Sequence, residues 1–599
     1  LASFWQELSR RNVFKVGVAY AIVAWLLAQV IVVVETPLGL PDWADSLTII
    51  LLIIGFPVAL IFAWAFELTP AGIQRTDKPG TITEGSSAIF TAEQSGDPPS
   101  TIVKETAKGI AQNSIAVLPF ANLSSDPEQE YFADGMTEEL LNSLARIKDL
   151  QVTGRTSCFY FKGKNEDLRT IGEMLGVEHI LEGSVRKSGE RVRITAQLIN
   201  ARSNYHLWSE TYDRMLDDLF VIQEDIAKSV AEALEITLGV GARGRMPGMT
   251  HSVAAYDEFL KAGATKGLDI VAAATPNRSR AAIHHLQRAV GLDPDFGLAW
   301  AGLFTSYGNA RVHFPGGIQD GKEKSQHALE RALELTPDSP MLLSQIAYHK
   351  AEGGEWLEAD RLQRDALAAA ARYSLEDHFN YRAGLFLHNL GRISKAIDYY
   401  EKVRVADPLN INNAAWLMDA YSGLGNHAAA LAEADRLANV VDPQIAFIQS
   451  GALLVALATR DRSELDKRLH LLTENEGDVQ SVTAKMQTLL DKPTAACAEL
   501  HRLATETTER SPFALNIIAT WAAYFDDPQL ALDLFREVLI TQQTARVTWL
   551  IWRSVYAGMR KLDGFKDLLR DLGLVGYWRT TGNWGDLCRP LGDDDFECE

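Results

Sequence analysis

Ala282–Tyr307 reads AIHHLQRAVGLDPDFGLAWAGLFTSY, and its spacing of small and large residues decides how most of the chain folds. Ala282, Leu286 and Ala289 lie four and three residues apart, and Pro294 follows five later. That spacing puts them on one helical stripe that ends at a turn. Trp300, Leu303 and Tyr307 repeat the helical step with large side chains. Small residues let two helices approach, and large ones fill the space between the next two. Such a pair buries its stripe only by stacking on another pair.

The pattern recurs downstream. A repeat ends at Ala332 and Pro337 after an insert near Arg311 to Lys322, and Leu343, Ile346, Ala359 and Ala366 follow. Ala396, Tyr400, Val403 and Pro408 restate the first spacing. Leu417, Tyr421, Ala430 and Ala434 continue it, with Pro443 one residue late. Asp-Pro at 293–294, 407–408 and 442–443 marks turns between units. These residues resemble the tetratricopeptide (TPR) pattern. The resemblance implies an all-α TPR solenoid over 250–572, with a surface for protein partners and scope for homo-oligomers. Past Gln444 the period blurs, and Trp549 and Trp552 read as packing residues. Residues 573–599 read as a cap or tail on the array's end.

Upstream, the period changes from helical to alternating. Ile115–Phe120 is a short apolar run of strand type. Asp126 and Pro127 open a helix to Ala145 as N-cap and first residue. A strand near Leu150–Thr153 and a helix over Asp167–Leu175 follow. His179–Arg186 and Arg191–Asn200 alternate around Lys187–Glu190, which reads as a hairpin turn. Tyr205–Tyr212 adds a strand, and Leu216–Leu238 a closing helix. The fold class here is α+β over 113–240. The phrases SIAVLPFANLSSDPEQEYFADGMTEEL, GRTSCFYFKGK, GVEHILEGSVRKSGERVRITAQLIN and HLWSETYDR resemble the TolB amino-terminal-like, or FlgO-like, domain. In bacteria such domains accompany membrane spans, cyclase domains or winged-helix domains, and precede TPR arrays. The resemblance implies an interaction or sensory role and no settled reaction.

The start of the chain differs again. Val16–Val34 and Leu47–Phe66 are uncharged apolar runs of 19 and 20 residues, each long enough for a membrane helix. With 1–12 as an interfacial segment, 13–66 reads as a two-helix transmembrane hairpin in the lipid bilayer, with Trp25 and Trp64 as membrane residues. Arg10, Arg11, Lys15, Arg75 and Lys78 flank it, and the loop from Glu35 to Ser46 has no Lys or Arg. The charge asymmetry expects a two-pass protein of the bacterial inner membrane with its body in the cytoplasm. No ionisable residue lies in either run, so the hairpin reads as an anchor. Residues 67–112, rich in Thr, Ser, Gly and Pro, read as a flexible linker.

The formal net charge is −20, which argues against sequence-independent nucleic-acid binding. Four cysteines in 599 residues fit a reducing compartment and no disulfide framework. Phosphate-loop, zinc-protease and paired-cysteine motifs are missing from the sequence. Gly239, Gly241 and Gly244 spell G-x-G-x-x-G after a helix, the wrong context for a dinucleotide, and read as a hinge. Catalytic residues, metal ligands and cofactors are therefore not expected. The one polar cluster of interest is Arg155, Thr156 and Ser157 with Lys162 and Lys164, near Asp134. Cations and a helix N-terminus there can hold a small anion; the simpler reading is a solvated basic loop with Asp134 as a local cap. Together these features suggest a membrane-anchored, non-enzymatic scaffold or adaptor. The alternative is a signalling protein related to the cyclase and winged-helix fusions.

Overall fold

The computed structural model describes residues 66–69, 72–75, 111–234 and 248–599, apart from 125, 148, 267–275, 314–317, 319, 373–375, 439–445, 474–477 and 508–509. Residues 1–105 and 106–599 form separate units. In the first, β1 (Phe66–Thr69) and β2 (Gly72–Arg75) make an antiparallel hairpin with Phe66 opposite Arg75.

This corrects the expected fold class. The described residues are mostly helical, with a small sheet region and TPR-like helices. No helix among them is long and apolar enough to cross a membrane, so the transmembrane hairpin is not supported. Residues 1–65, including Trp25 and Trp64, lie outside the described residues, as do Gly239, Gly241 and Gly244. Phe66, read as the end of an apolar helix, starts a strand, and residues 67–69 and 72–75 of the expected linker are paired. Backbone pairing there needs no apolar side chains, so composition gave no sign of it.

The α+β part comprises β3 (Ala111–Val117), β4 (Ala121–Asn122), β5 (Gln151–Val152), β6 (Val177–Ser188), β7 (Arg191–Asn200) and β8 (Tyr205–Met215). Its helices are α1 (Glu130–Ala145), α2 (Arg155–Phe159), α3 (Leu168–Leu175) and α4 (Leu219–Ala233). The sheet order is β5-β3-β6-β7-β8, with β4 beside β6. β3 runs parallel to β5 and β6, whereas β6, β7 and β8 are antiparallel. Asp126 caps the turn before α1 by accepting from the Glu128 N–H. Asp167 caps α3, and Gly176, at φ 67°, ends it in the left-handed region that glycine tolerates. Gly189 supplies the positive φ of the β6–β7 turn.

Alternation along the strands sends side chains to two faces. Val117, Leu181, Val192 and Ile194 pack beneath Phe132 and Leu140 of α1 and Ile226 of α4. Ala116 and Ile180 face Phe159 of α2 and Ile171 of α3.

The helical part begins with α5 (Val253–Lys266), α6 (Pro276–Leu292), α7 (Gly297–His313), α8 (Gly321–Leu335), α9 (Pro340–Glu352) and α10 (Trp356–Arg372). It continues with α11 (Glu376–Asn389), α12 (Ile393–Ala406), α13 (Ile411–Gly423), α14 (His427–Ala438) and α15 (Ala446–Thr459). Then come α16 (Arg462–Thr473), α17 (Asp478–Gln487), α18 (Pro493–Glu506), α19 (Pro512–Tyr524) and α20 (Pro528–Arg536). Starts follow local chemistry: Ser339 and Ser511 accept from backbone N–H groups of α9 and α19, each with Pro at the first position. Ala282, Leu286, Ala289, Leu303, Tyr307, Ala396, Tyr400 and Leu417 are buried, whereas Trp300, Pro408 and Tyr421 are half-buried and Pro294 is exposed. The small-against-large logic is visible at Gly384 of α11, where a Cβ would come within 2.7 Å of the Tyr400 ring.

Two core clusters cross from the sheet into the helices. The α1–α4 side continues into Tyr256, Leu286, Phe296 and Leu303. The α2–α3 side continues into Met418, Ala434 and Ala452 of α13–α15. The α+β part and the repeats therefore share cores.

Past α20, a π turn (Glu537–Thr541) leads into a 3-10 segment, Ala545–Trp552, and a second, Ser554–Tyr556. These pack against α9, α11, α15 and α19. Trp549 and Trp552 are both buried. The chain ends with α21 (Ala557–Arg560), α22 (Asp563–Asp571), α23 (Leu574–Thr581) and the hairpin β9 (Cys588–Leu591)–β10 (Asp595–Cys598). The stretch read as an end cap lies against the α11–α12 turn: the Trp578 indole N–H donates to the Leu390 carbonyl at 3.0 Å, and the Asp586 N–H to that of Gly391 at 2.9 Å. Cys588 and Cys598 are joined in a disulfide, against the expectation from sparse cysteines. Strand pairing brings them directly opposite each other, which their separation in sequence does not reveal.

Candidate functional site

Arg155, Thr156 and Ser157 of the polar cluster lie on a short helix, α2, not in a loop, whereas Lys162 and Lys164 follow it. Gly154 precedes it in an extended conformation, leaving the first N–H groups of α2 pointing outward. A carboxylate meets them. The Ser157 N–H and hydroxyl both donate to Asp407 Oδ1, at 2.7 and 2.5 Å. Thr156 also donates to Asp407 through its side chain. Asp407 belongs to the turn after α12, 250 residues away. Two bonds from backbone N–H groups flank it: Leu409 N–H donates to Ser157 Oγ at 2.8 Å, and Gly154 N–H to the Ala406 carbonyl at 2.8 Å. Asn410 Nδ2 holds the other carboxylate oxygen at 2.9 Å. Desolvation pushes the Asp407 carboxyl above its ordinary range, and the bonds from Ser157, Asn410 and Thr156 oppose that push.

The cations of the cluster also have partners within the chain. Lys162 Nζ lies 2.6 Å from both oxygens of Asp134 and 3.0 Å from Glu130. Burial raises the Asp134 pKa despite that pairing. Arg155 bonds Glu138 at 3.0 Å and lies over the Phe159 ring. Lys164 sits 3.1 Å above the Tyr160 ring centre. The structure thus brings Arg155, Thr156 and Ser157 onto one helix beside Asp407. Lys162 and Asp134 form a separate pair.

A second polar junction escaped the sequence reading. Asp257 of α5 accepts from the Tyr131 hydroxyl at 2.7 Å and from Lys187 of β6 at 3.0 Å, and pairs with Lys261 at 2.8 Å. Burial raises its pKa, but the bonds from Lys261, Tyr131 and Lys187 outweigh it and hold the carboxyl below its usual range. Next to it, buried Glu258 receives His285 at 2.8 Å and Lys261 at 3.1 Å. Only the recurrence of Asp-Pro hinted at such joints: Asp293, like Asp407, accepts a hydroxyl from upstream, here that of Thr250.

The third junction is where the 3-10 segments enter the helices. The Arg553 guanidinium grips Asp419 of α13 with Nε 3.1 Å from both oxygens and Nη2 at 2.9 Å. It also lies over the Trp549 ring, which meets Trp416 edge-on at 4.2 Å. The Trp549 N–H donates to Asn389 Oδ1 at 3.1 Å. His388 beside it is 1% exposed. Burial, helped by the Arg553 charge, lowers its pKa to about 3.

A histidine kept neutral in the fold but titrating near its ordinary value when unfolded takes its proton in the unfolded chain first. Stability from this site is complete above about pH 6.5 and is lost as pH falls towards about 3. His388 is faced by Tyr400 of α12 and by Trp549 and Arg553 of the 3-10 segments, with Asp419 behind Arg553. His388→Gln is expected to flatten the wild-type stability slope in that window by about 1.4 kcal/mol per pH unit. Urea titrations at several pH values check this; equal slopes would mean that His388 is solvated.

A family model described as the second domain of HilA/YgeH-like transcriptional regulators matches residues 111–229. A tetratricopeptide-repeat model matches 377–403, across α11 and α12. The chain thus contains a TPR. It is similar to putative adenylate cyclase 3 of Rhizobium meliloti (strain 1021), 42% identical over 153 residues, which is 26% of this chain and 26% of that protein. The chain therefore matches about a quarter of that relative's length. Among solved structures it is similar to PilW, a widely conserved type IV pilus biogenesis factor: 17% identity, TM-score 0.31, 38% of this chain and 98% of that one. The TPR domain of P58(IPK) matches at 14% identity and TM-score 0.15, over 55% of this chain and 98% of that one. Neither structural likeness carries an argument about function.

Proposed function

We propose that this chain is a non-enzymatic scaffold whose helical repeats bind a protein partner, with the α+β part built into the same body. The observation behind it is the run of stacked helix pairs from α5 onward, within which the TPR match falls. The 3-10 segments cover faces of α9, α11, α15 and α19, so the partner surface is expected on α6–α8, where Leu292 and Leu333 are exposed. Because the cores are shared, the test uses the full chain. Photo-crosslinking residues at 292 and 333 should capture the same protein in cells, and one at Glu355, beyond that surface, should not. Capture of no specific protein at either position would refute the reading.

A second reading is a regulatory protein that acts on another chain. The match of 111–229 to a transcriptional-regulator domain and the partial likeness to a putative cyclase favour it, and the TolB- or FlgO-like resemblance is compatible with it. The net charge of −20 weighs against direct nucleic-acid binding. The purified chain is expected not to convert ATP to a cyclic product, and turnover above background would overturn the non-enzymatic assignment.

A further inference from the structure

β8 ends the sheet path, and among the described residues only β7 is hydrogen-bonded to it as a strand. It is 11 residues long and has no proline. A long edge strand offers unpaired N–H and C=O groups to another strand, and proteins that remain single blunt such edges. This edge carries the charges of Glu210 and Arg214, but also exposed Tyr205, Leu207 and Met215; no other described element has more than one exposed large apolar side chain. Its one acidic residue on the face away from α1 and α4 within the regular stretch, Asp213, is already paired with Arg191 and Arg193 of β7.

The β7–β8 register shifts between Leu198 and Ile199, so β8 is regular from Trp208 onward. Within that stretch the sequence is complementary to itself read backwards. Antiparallel neighbours point to the same face, so two copies related by a twofold axis can only pair about a single residue. Centring on Thr211 puts Glu210 opposite Tyr212, Ser209 opposite Asp213 and Trp208 opposite Arg214. A hydroxyl then faces each carboxylate, and a guanidinium meets an indole. Leu207 and Met215 close the two ends. Centring on Glu210 sets two carboxylates face to face. Centring on Tyr212 leaves Leu207 and Trp208 at the fraying end.

We propose that two copies of this chain associate through β8, antiparallel and centred on Thr211, joining their sheets into one. The occupant is a second copy because the same residues supply both halves of every pair. The inference concerns the α+β part and stands apart from partner binding by the repeats.

The test uses the full chain. Analytical ultracentrifugation should give twice the 66.1 kDa of one chain. Thr211→Cys should yield a covalent dimer with a short bis-maleimide. Wild type, with Cys158 buried and Cys497 half-buried, and Lys322→Cys on α8 should not. Thr211→Arg places two cations opposite each other and should weaken association by about tenfold or more, while Thr211→Ser keeps it. Circular dichroism of Thr211→Arg should match that of wild type, since Thr211 is exposed. A monomer at the highest concentration reached, a dimer indifferent to Thr211→Arg, or a Thr211→Cys chain that links only to a different protein would each overturn the proposal.

Discussion

Arg553→Ala is expected to lower the unfolding free energy by about 3–5 kcal/mol, the largest loss from any single ion pair described here. Only 12% of the Arg553 side chain and 9% of that of Asp419 is exposed. Desolvation already pushes the Asp419 carboxyl up, and Arg553 is what opposes it. Without the guanidinium, Asp419 is left charged and unpaired beside Trp416 and Trp549, or it takes a proton. Either outcome costs more than the pair itself contributes, because the desolvation remains when the attraction is gone. Arg553→Met combined with Asp419→Leu is therefore expected to cost less than Arg553→Ala alone. Urea unfolding followed by circular dichroism gives both values. A loss below about 1 kcal/mol would place the pair in the class of solvated surface bridges.

The pair also bears on how the repeats unfold. A linear array with contacts only between neighbours can lose its repeats one by one. Here, residues 545–556 touch α9, α11, α15 and α19, and Trp552 lies against Gly391 in the α11–α12 turn. Trp356 reaches the Leu572 carbonyl 216 residues away. These contacts tie distant repeats together, so α9–α23 should melt as one cooperative body.

What was legible in the sequence was what depends on near neighbours. Ala282, Leu286 and Ala289 mark a helical stripe because the helix repeats every three to four residues. Lys187–Glu190 marks a hairpin because the strands on either side alternate. Ser157, by contrast, reads from its basic and polar neighbours as part of a solvated basic loop, or of one that holds a small anion. Its partner, Asp407, looked like a turn marker. Only the folded chain brings the two together, across 250 residues. In the structure the N–H and hydroxyl of Ser157 are taken up by the chain's own carboxylate. Trp549 and Trp552 were legible as packing residues, but their seat on α11 was not. The cysteine pair was invisible because strand register, not spacing, sets it.

Asp407→Ala tests that joint most directly and is expected to cost about 3 kcal/mol. It removes the acceptor for the Ser157 N–H and hydroxyl and for Asn410, leaving buried donors unpaired. Asp407→Asn keeps one acceptor oxygen and sheds a charge that burial disfavours, so it is expected to cost about 1 kcal/mol. The local consequence separates this joint from a general loss of stability. Amide exchange should quicken at Ser157 and Leu409, whose N–H groups lie in the joint, well before α3 or α13 opens. Gly154→Ala reaches the same end by another route: its Cβ would stand 2.4 Å from Asp407 Cγ, forcing the turn off α2 with the carboxylate intact. If both variants leave exchange at Ser157 and Leu409 unchanged, Asp407 does not hold α2, and the apolar contacts of Phe159 with α13–α15 do so instead. If both quicken it, one carboxylate fixes where α2 sits on the turn after α12.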